Sequence, residues 1–348
     1  MTGPADAVVA LTYRCNAHCR MCNIWQSRQE DRLRSEHLLR LPKSLRTINL
    51  SGGEPFMRDD LAEFVAAARK ACPRAVITIS TNGYLHRRIA ERMDDILRID
   101  PSVRLAVSMD GVGAAHDHIR GDEGAFERAT KLLDAMGQAG YRGLRLGMTI
   151  SADNADQLIP LSELAGRRGL ELGVVAAHAA RTHLGVSELE PIADGDKLRQ
   201  DISAMAAGWL RSWRPRQWLR AHFACNTYRY LTGRPAPLRC RAGSDFVFIA
   251  ADGTVFNCSV DGREMGNITA QTWDEIWDSP AADAARRQAS RCRQACWMIC
   301  TARSVYRRRV LSTTAWVAWH KLLAHLGVKR LVRPPTDLEA TAGADTSH

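Results

Sequence analysis

LTYRCNAHCRMCNIW, residues Leu11–Trp25, carries Cys15, Cys19 and Cys22 in the spacing CxxxCxxC, directly after the apolar run Ala7 to Leu11. Three thiolates on one loop suit three irons of a four-iron cluster and leave the fourth iron without a protein ligand. An iron with an open position can bind a substrate or cofactor, so the loop points to chemistry as well as electron storage. A zinc site short of its fourth ligand, or three unrelated buried cysteines, is the competing reading. His18 is too close to Cys19 in sequence for both to ligate one ion without strain.

Outward from this loop, short β-rich runs alternate with helical periodicity. The expected strands are Ala7 to Leu11, Thr47 to Leu50, Ala75 to Ser80, Val103 to Ser108, Leu144 to Ile150 and Glu171 to Val175. Helical patterns separate them, clearest over Leu61 to Lys70, Ala125 to Met136 and Asp156 to Arg168. Six βα units are fewer than the eight of a closed barrel, so the α/β fold expected is an open, partial (β/α)6 barrel. Its chemistry belongs on the face where the strand C-termini converge.

Ser51, Gly52, Gly53, Glu54 and Pro55 follow the second strand, and paired glycines allow a close backbone approach that a β-carbon would block. Thr81, Asn82 and Gly83 follow the third strand, Ser108, Asp110 and Gly111 the fourth, and Ser151 and Asn154 the fifth. By composition these are ordinary turns, and their shared place after strands is what marks them. Asp117 and Arg120 are further candidates for the mouth.

The chain has 348 residues, a formal net charge of +10 and ten cysteines. Eight of the ten fall in two groups, the first already quoted and the second made of Cys240, Cys258, Cys292, Cys296 and Cys300. In a chain of this length that grouping reads as cluster or metal ligation, not as a disulfide framework. Cys72 and Cys225 read as buried bystanders. No run of eighteen apolar residues and no secretory start occurs, so a cytoplasmic protein is expected.

The cysteine loop resembles that of the radical S-adenosylmethionine (SAM) superfamily, and the likeness runs from about Ala7 to Ala302. The resemblance implies that Cys15, Cys19 and Cys22 hold a catalytic [4Fe-4S] cluster whose free iron chelates S-adenosyl-L-methionine. It further implies reductive cleavage to a 5′-deoxyadenosyl radical, for oxidation, epimerisation or bond formation on a substrate. Ser51 to Pro55 resembles the family's GGEP motif, so Gly52, Gly53, Glu54 and Pro55 are expected on the methionyl ammonium. Met21 stands where the family often has an aromatic residue against adenine. Thr81, Asn82, Ser108, Asp110 and Ser151 are expected to line the cofactor and substrate cavity.

The second cysteine group resembles the auxiliary modules called SPASM and, in shortened form, twitch. Five cysteines suit one second, auxiliary [4Fe-4S] cluster with one thiol left over, either structural or a hydrogen-atom donor; a zinc ribbon is the alternative. The domain plan expected is a radical SAM core over 1–215, a SPASM/twitch-like module over 235–303, a basic amphipathic helix over 304–333 and a disordered tail over 334–348. The module is expected to open with a hairpin over Asp245 to Ala250 and Thr254 to Cys258, after Pro-bearing linkers at Arg214 to Arg216 and Gly233 to Pro237. The arm SVYRRRVLSTTAWVAWHKLLAHLGVKRLV suggests peripheral contact with the inner membrane face through anionic lipid, or a helix packed on the barrel with a solvated basic edge. Nucleic acid is not expected, because the aromatic residues recur at helical spacing among leucines. Expected partners are a reductant such as flavodoxin or ferredoxin and a small-molecule, glycan, lipid or peptide substrate. A non-catalytic iron–sulfur electron carrier or scaffold is the alternative to an enzyme.

Overall fold

The computed structural model of the chain describes residues 3–234, 239–294, 296–328 and 331–332. The tail over 334–348, most of the stretch Gly233 to Pro237, and Lys329, Arg330 and Arg333 lie outside them. Six strands open the fold: β1 (Asp6–Thr12), β2 (Thr47–Gly52), β3 (Val76–Thr81), β4 (Arg104–Ser108), β5 (Leu144–Ile150) and β6 (Glu171–Ala176). Between them run α1 (Leu61–Ala71), α2 (His86–Ile99), α3 (Ala114–Arg120), α4 (Ala125–Gln138) and α5 (Leu158–Arg167). Then come α6 (Gly195–Arg211), α7 (Pro215–Leu231), β7 (Phe246–Ile249), β8 (Thr254–Phe256), β9 (Glu264–Asn267), α8 (Trp273–Trp277), α9 (Pro280–Arg291), α10 (Ile299–Arg308) and α11 (Val310–His325).

Alternation makes the strands. In β5, Leu144, Leu146, Met148 and Ile150 are buried in the main core, while Arg145, Gly147 and Thr149 face the other way and are only half buried. The helices carry the matching stripe: α2 buries Ile89, Met93 and Ile96 at steps of four and three. Strands β1 to β6 pair in parallel and in sequence order. Every loop leaving a strand C-terminus therefore opens on one face, as the partial barrel requires.

The linker expectation needs correction. Arg214 to Arg216 is not a linker: Pro215 takes the first position of the 17-residue α7, where a missing N–H costs nothing, and α7 packs on α6 and β6. The auxiliary segment opens with the expected hairpin, β7 and β8, and this hairpin continues the barrel sheet. Strand β7 pairs in parallel with β1, Asp6 against Phe246 through Val9 against Ile249, and β8 and β9 follow antiparallel. Among the described residues all nine strands form one sheet in the order β6-β5-β4-β3-β2-β1-β7-β8-β9.

The C-terminal arm is likewise two helices, broken at Arg309. Arg303 and Arg307 pair with Asp6, and Arg308 with Asp245. The basic edge is thus partly spent on buried carboxylates. Helix α11 buries Thr313, Val317 and Ala324, while Leu311, Trp319, Leu322 and Leu326 are exposed.

Candidate functional site

The cysteine loop is braced on several sides by backbone. Gly53 and Glu54 donate their N–H groups to the carbonyls of Thr12 and Arg14. A β-carbon on Gly52 would lie 2.2 Å from the Thr12 carbonyl oxygen, and one on Gly53 2.1 Å from that of Arg14; Gly52 also has φ of +124°. The GG pair is therefore demanded by close packing on the cysteine loop. From the opposite side, His18 and Arg20 donate to the carbonyls of Arg120 and Ile119, and Gly121 leaves the room that the His18 carbonyl needs. Asp31, which sequence reasoning missed, accepts from the Thr12 hydroxyl and the Tyr13 N–H.

Glu54 is fully buried. Its Oε1 accepts from Phe56 N–H and the Thr81 hydroxyl, and its Oε2 from Asn82 N–H at 2.8 Å. Burial pushes this carboxyl up to about 7 against those hydrogen bonds. The side chain thus locks β2 to the end of β3. Asn82 extends the lock by donating from Nδ2 to the Asn16 side chain inside the cysteine loop.

Asp110 and Arg120 form a buried pair at 2.6 Å, and the Arg120 Nη1 also donates toward the Cys19 sulfur at 3.6 Å. Asp110 takes a second hydrogen bond from Thr149 N–H, and its own N–H donates to Nδ1 of buried His116. Asn154 is fully used, donating to the carbonyls of Asp110 and Thr149 and accepting from Ser151 N–H. Asp117 caps the turn into α4 through Gly124 and Phe126 N–H. Ser108 and Met21 are half buried, and among the described residues the Ser108 hydroxyl has no hydrogen-bond partner. Arg120 thus joins the site, while Asp117 and Asn154 hold turns.

The long loop after β6 gave no signal in sequence, yet it ties the two cysteine groups together. Asn23 N–H donates to the Leu184 carbonyl and its side chain to Gly185, while Thr182 N–H donates to Val260 and its hydroxyl accepts from Gly262 N–H. His183 lies between Tyr13 and Phe248, with ring centroids at 6.1 and 4.6 Å. His178 stacks on Tyr230 at 4.4 Å. Its Nδ1 lies 2.8 Å from the Ala176 carbonyl, so that nitrogen carries the proton, and the buried Nε2 is a free acceptor. Burial pushes both imidazoles down to about 4.

In the second group, Cys240, Cys258 and Cys300 pack around Ala242, Phe246 and Ala289. Cys258 and Cys300 also share a small cavity wall with residues 6–8 and 246–248. Burial raises Cys240 to about 11 and Cys300 to about 12, and raises Cys258 and Cys296 as well. Cys296 senses the other four thiols electrostatically, and Cys292 is exposed. All five are brought together.

Both donor sets fit iron–sulfur clusters. Burial pushes Cys15 to about 12 and Cys22 to about 11, and neighbouring thiols add to the rise. Thiolates there require a cation to offset them. Among the described residues no three His, Cys, Asp or Glu side chains converge tightly enough for a single metal ion.

Comparison with known proteins agrees. The model of the radical SAM superfamily matches residues 9–164, and that of an iron–sulfur cluster-binding domain, SPASM, matches residues 240–301. An AdoMet-dependent heme synthase of Methanosarcina barkeri is 28% identical over 66% of this chain and 67% of its own. Mycofactocin maturase MftC of Mycolicibacterium smegmatis is 26% identical over 77% and 68%. SuiB of Streptococcus suis, solved with S-adenosylmethionine, shares the fold at a TM-score of 0.61 and 16% identity, over 82% of this chain and 68% of its own. The chain belongs to the radical SAM superfamily of enzymes, with a C-terminal SPASM module, and its cofactors are S-adenosyl-L-methionine, a [4Fe-4S] cluster and auxiliary iron–sulfur.

Proposed function

We propose that Cys15, Cys19 and Cys22 hold the catalytic cluster, and that the enzyme modifies a substrate seated between the barrel mouth and the SPASM module. When bound, the cluster and cofactor supply an electron and a 5′-deoxyadenosyl radical for hydrogen abstraction. The chain's own residues orient and shield. Ser51, Gly52 and Gly53 present backbone beside the cysteine loop, which suits the methionyl ammonium. Glu54, Thr81 and Asn82, buried and mutually bonded, hold that backbone in place. Arg120, neutralised by Asp110, offers a donor to the Cys19 sulfur. His178, with a bare Nε2, is suited to accept a hydrogen bond from substrate.

The observation that carries this reading is the brace around the cysteine loop, in which two glycines without room for a side chain press on Thr12 and Arg14. Four of Cys240, Cys258, Cys292, Cys296 and Cys300 are proposed to hold the auxiliary cluster. The relatives' names, a heme synthase and a maturase, set an iron porphyrin and a maturase precursor as substrates to test ahead of glycan and lipid. The test is anaerobic reduction with S-adenosylmethionine: 5′-deoxyadenosine is expected, and Cys15→Ala, Cys19→Ala or Cys22→Ala abolishes it. A cluster-loaded chain that never cleaves the cofactor would establish the scaffold alternative.

A second reading concerns α11. Among the described residues no helix is long and apolar enough to cross a membrane. Leu311, Trp319, Leu322 and Leu326 nevertheless share an exposed face, and Arg309 flanks it, which favours shallow docking on anionic lipid. Sedimentation with anionic vesicles checks this, and loss of binding is expected in Leu311→Ser/Trp319→Ser.

A further inference from the structure

Strands β4 and β5 each carry an arginine at or beside their first residue, Arg104 and Arg145, on the half-buried face. Further along the same faces stand Ala106 and Ser108, then Gly147 and Thr149. On β4 and β5, small and neutral residues thus occupy this face toward the strand C-termini, and guanidinium groups its amino-terminal end. Half-buried arginines ordinarily face a carboxylate. Here Arg145 donates to the neutral Thr78 hydroxyl at 3.2 Å. Arg104, Arg142 and Arg216 make no ion pair among the described residues.

These four arginines line one cavity of about 810 Å³ at the amino-terminal ends of β4 to β6. The carboxylates in its wall are already engaged. Glu171 pairs with Arg220 at 2.5 Å, and Asp134 pairs with Arg168. Burial, then the charges of Arg104, Arg303 and Arg220, push Arg145 down to about 10. Such repulsion is relieved by an anion. Leu133, Leu144, Leu170 and Tyr141 complete the wall with apolar surface.

We propose that this cavity is a second binding site, remote from the cysteine loop, for a phosphorylated small molecule. Guanidinium groups pair phosphate oxygens two at a time, and a phosphate ester concentrates a charge of about −1.5 to −2 on one group. That density matches several unpaired arginines better than a lone carboxylate does. The volume lies within the roughly 300–1,000 Å³ usual for small-molecule sites, and the leucines suit the body of the ligand.

The test is calorimetric titration of the cluster-loaded full chain with pyrophosphate and, separately, with ADP, at constant ionic strength. One saturable site for at least one of the two is expected. Arg104→Gln and Arg145→Gln should each weaken it tenfold or more. Arg142→Gln, an exposed position that spares the sheet, should weaken it several-fold, and Arg167→Gln, which lies outside the cavity, should leave it unchanged. The proposal is overturned if neither compound saturates, if binding survives Arg104→Gln/Arg142→Gln, or if poly-glutamate binds and both phosphate compounds do not. None of these outcomes depends on whether the chain cleaves S-adenosylmethionine.

Discussion

Arg120 is where the site concentrates its electrostatics, since one guanidinium neutralises buried Asp110 and reaches the Cys19 sulfur. Arg120→Gln strands the Asp110 charge, and breaking such a buried pair costs about 3–5 kcal/mol. The expected outcome is that unfolding loss in urea together with less iron and labile sulfide retained per chain. His116 offers a pH test nearby. Burial, then Arg120, holds its imidazole down at about 3, against 6.5 when free. Below pH 6.5 the unfolded chain takes up a proton that the folded chain refuses, so stability falls from pH 6.5 toward 3. His116→Asn keeps an acceptor for Asp110 N–H and should flatten that part of the acid limb, measured by urea midpoints between pH 7 and 4. Sequence named Arg120 and Asp110 as separate candidates, because only the turn through Gly121 brings the end of α3 over the cysteine loop.

Among the elements, the SGGEP turn has a sharp structural requirement. Gly52→Ala combines a disfavoured φ with a contact of 2.2 Å to the Thr12 carbonyl, and should cost of order 3 kcal/mol. The loss is expected in cluster content first, with far-UV circular dichroism of the sheet retained, because the clash falls on the loop and not on the core. Strand positions were legible in sequence, since alternation such as Leu144, Leu146, Met148 and Ile150 is set locally by the helices above it. The first cysteine loop was legible for the same reason, all three of its thiols lying within eight residues. The loop after β6 was not, because His178 and His183 acquire their surroundings from Tyr230 and Phe248, distant in sequence. Helix α7 was hidden by Pro215, which reads as a breaker until its place at a helix start is known.

At the scale of the whole molecule, the SPASM segment is joined to the barrel through one sheet, and the C-terminal arm fastens that junction. Arg303 and Arg307 hold Asp6 at the start of β1, while Ser304 and Arg308 hold Asp245 just before β7. Sequence placed the arginines on a solvated basic edge because their partners lie far away along the chain. Burial acts to raise the Asp245 carboxyl, but hydrogen bonds from Arg308 and Ser304 outweigh it and bring it down to about 2, against 3.8 when free. A lowered carboxylate contributes stability above pH 3.8 that is lost as pH falls through 2. Asp245→Asn should therefore cost about 1–2 kcal/mol at pH 7, a modest figure because Arg308 is half exposed. Its penalty should shrink as pH falls from 4 toward 2, where wild type and variant converge in thermal melts. Hydrogen exchange places the effect: β7 and β1 are expected to lose protection together at pH 7, since they share one ladder, while β5 and β6 at the far edge keep theirs. Loss confined to β7 would mean that the arm stabilises the SPASM segment without fastening it to the barrel.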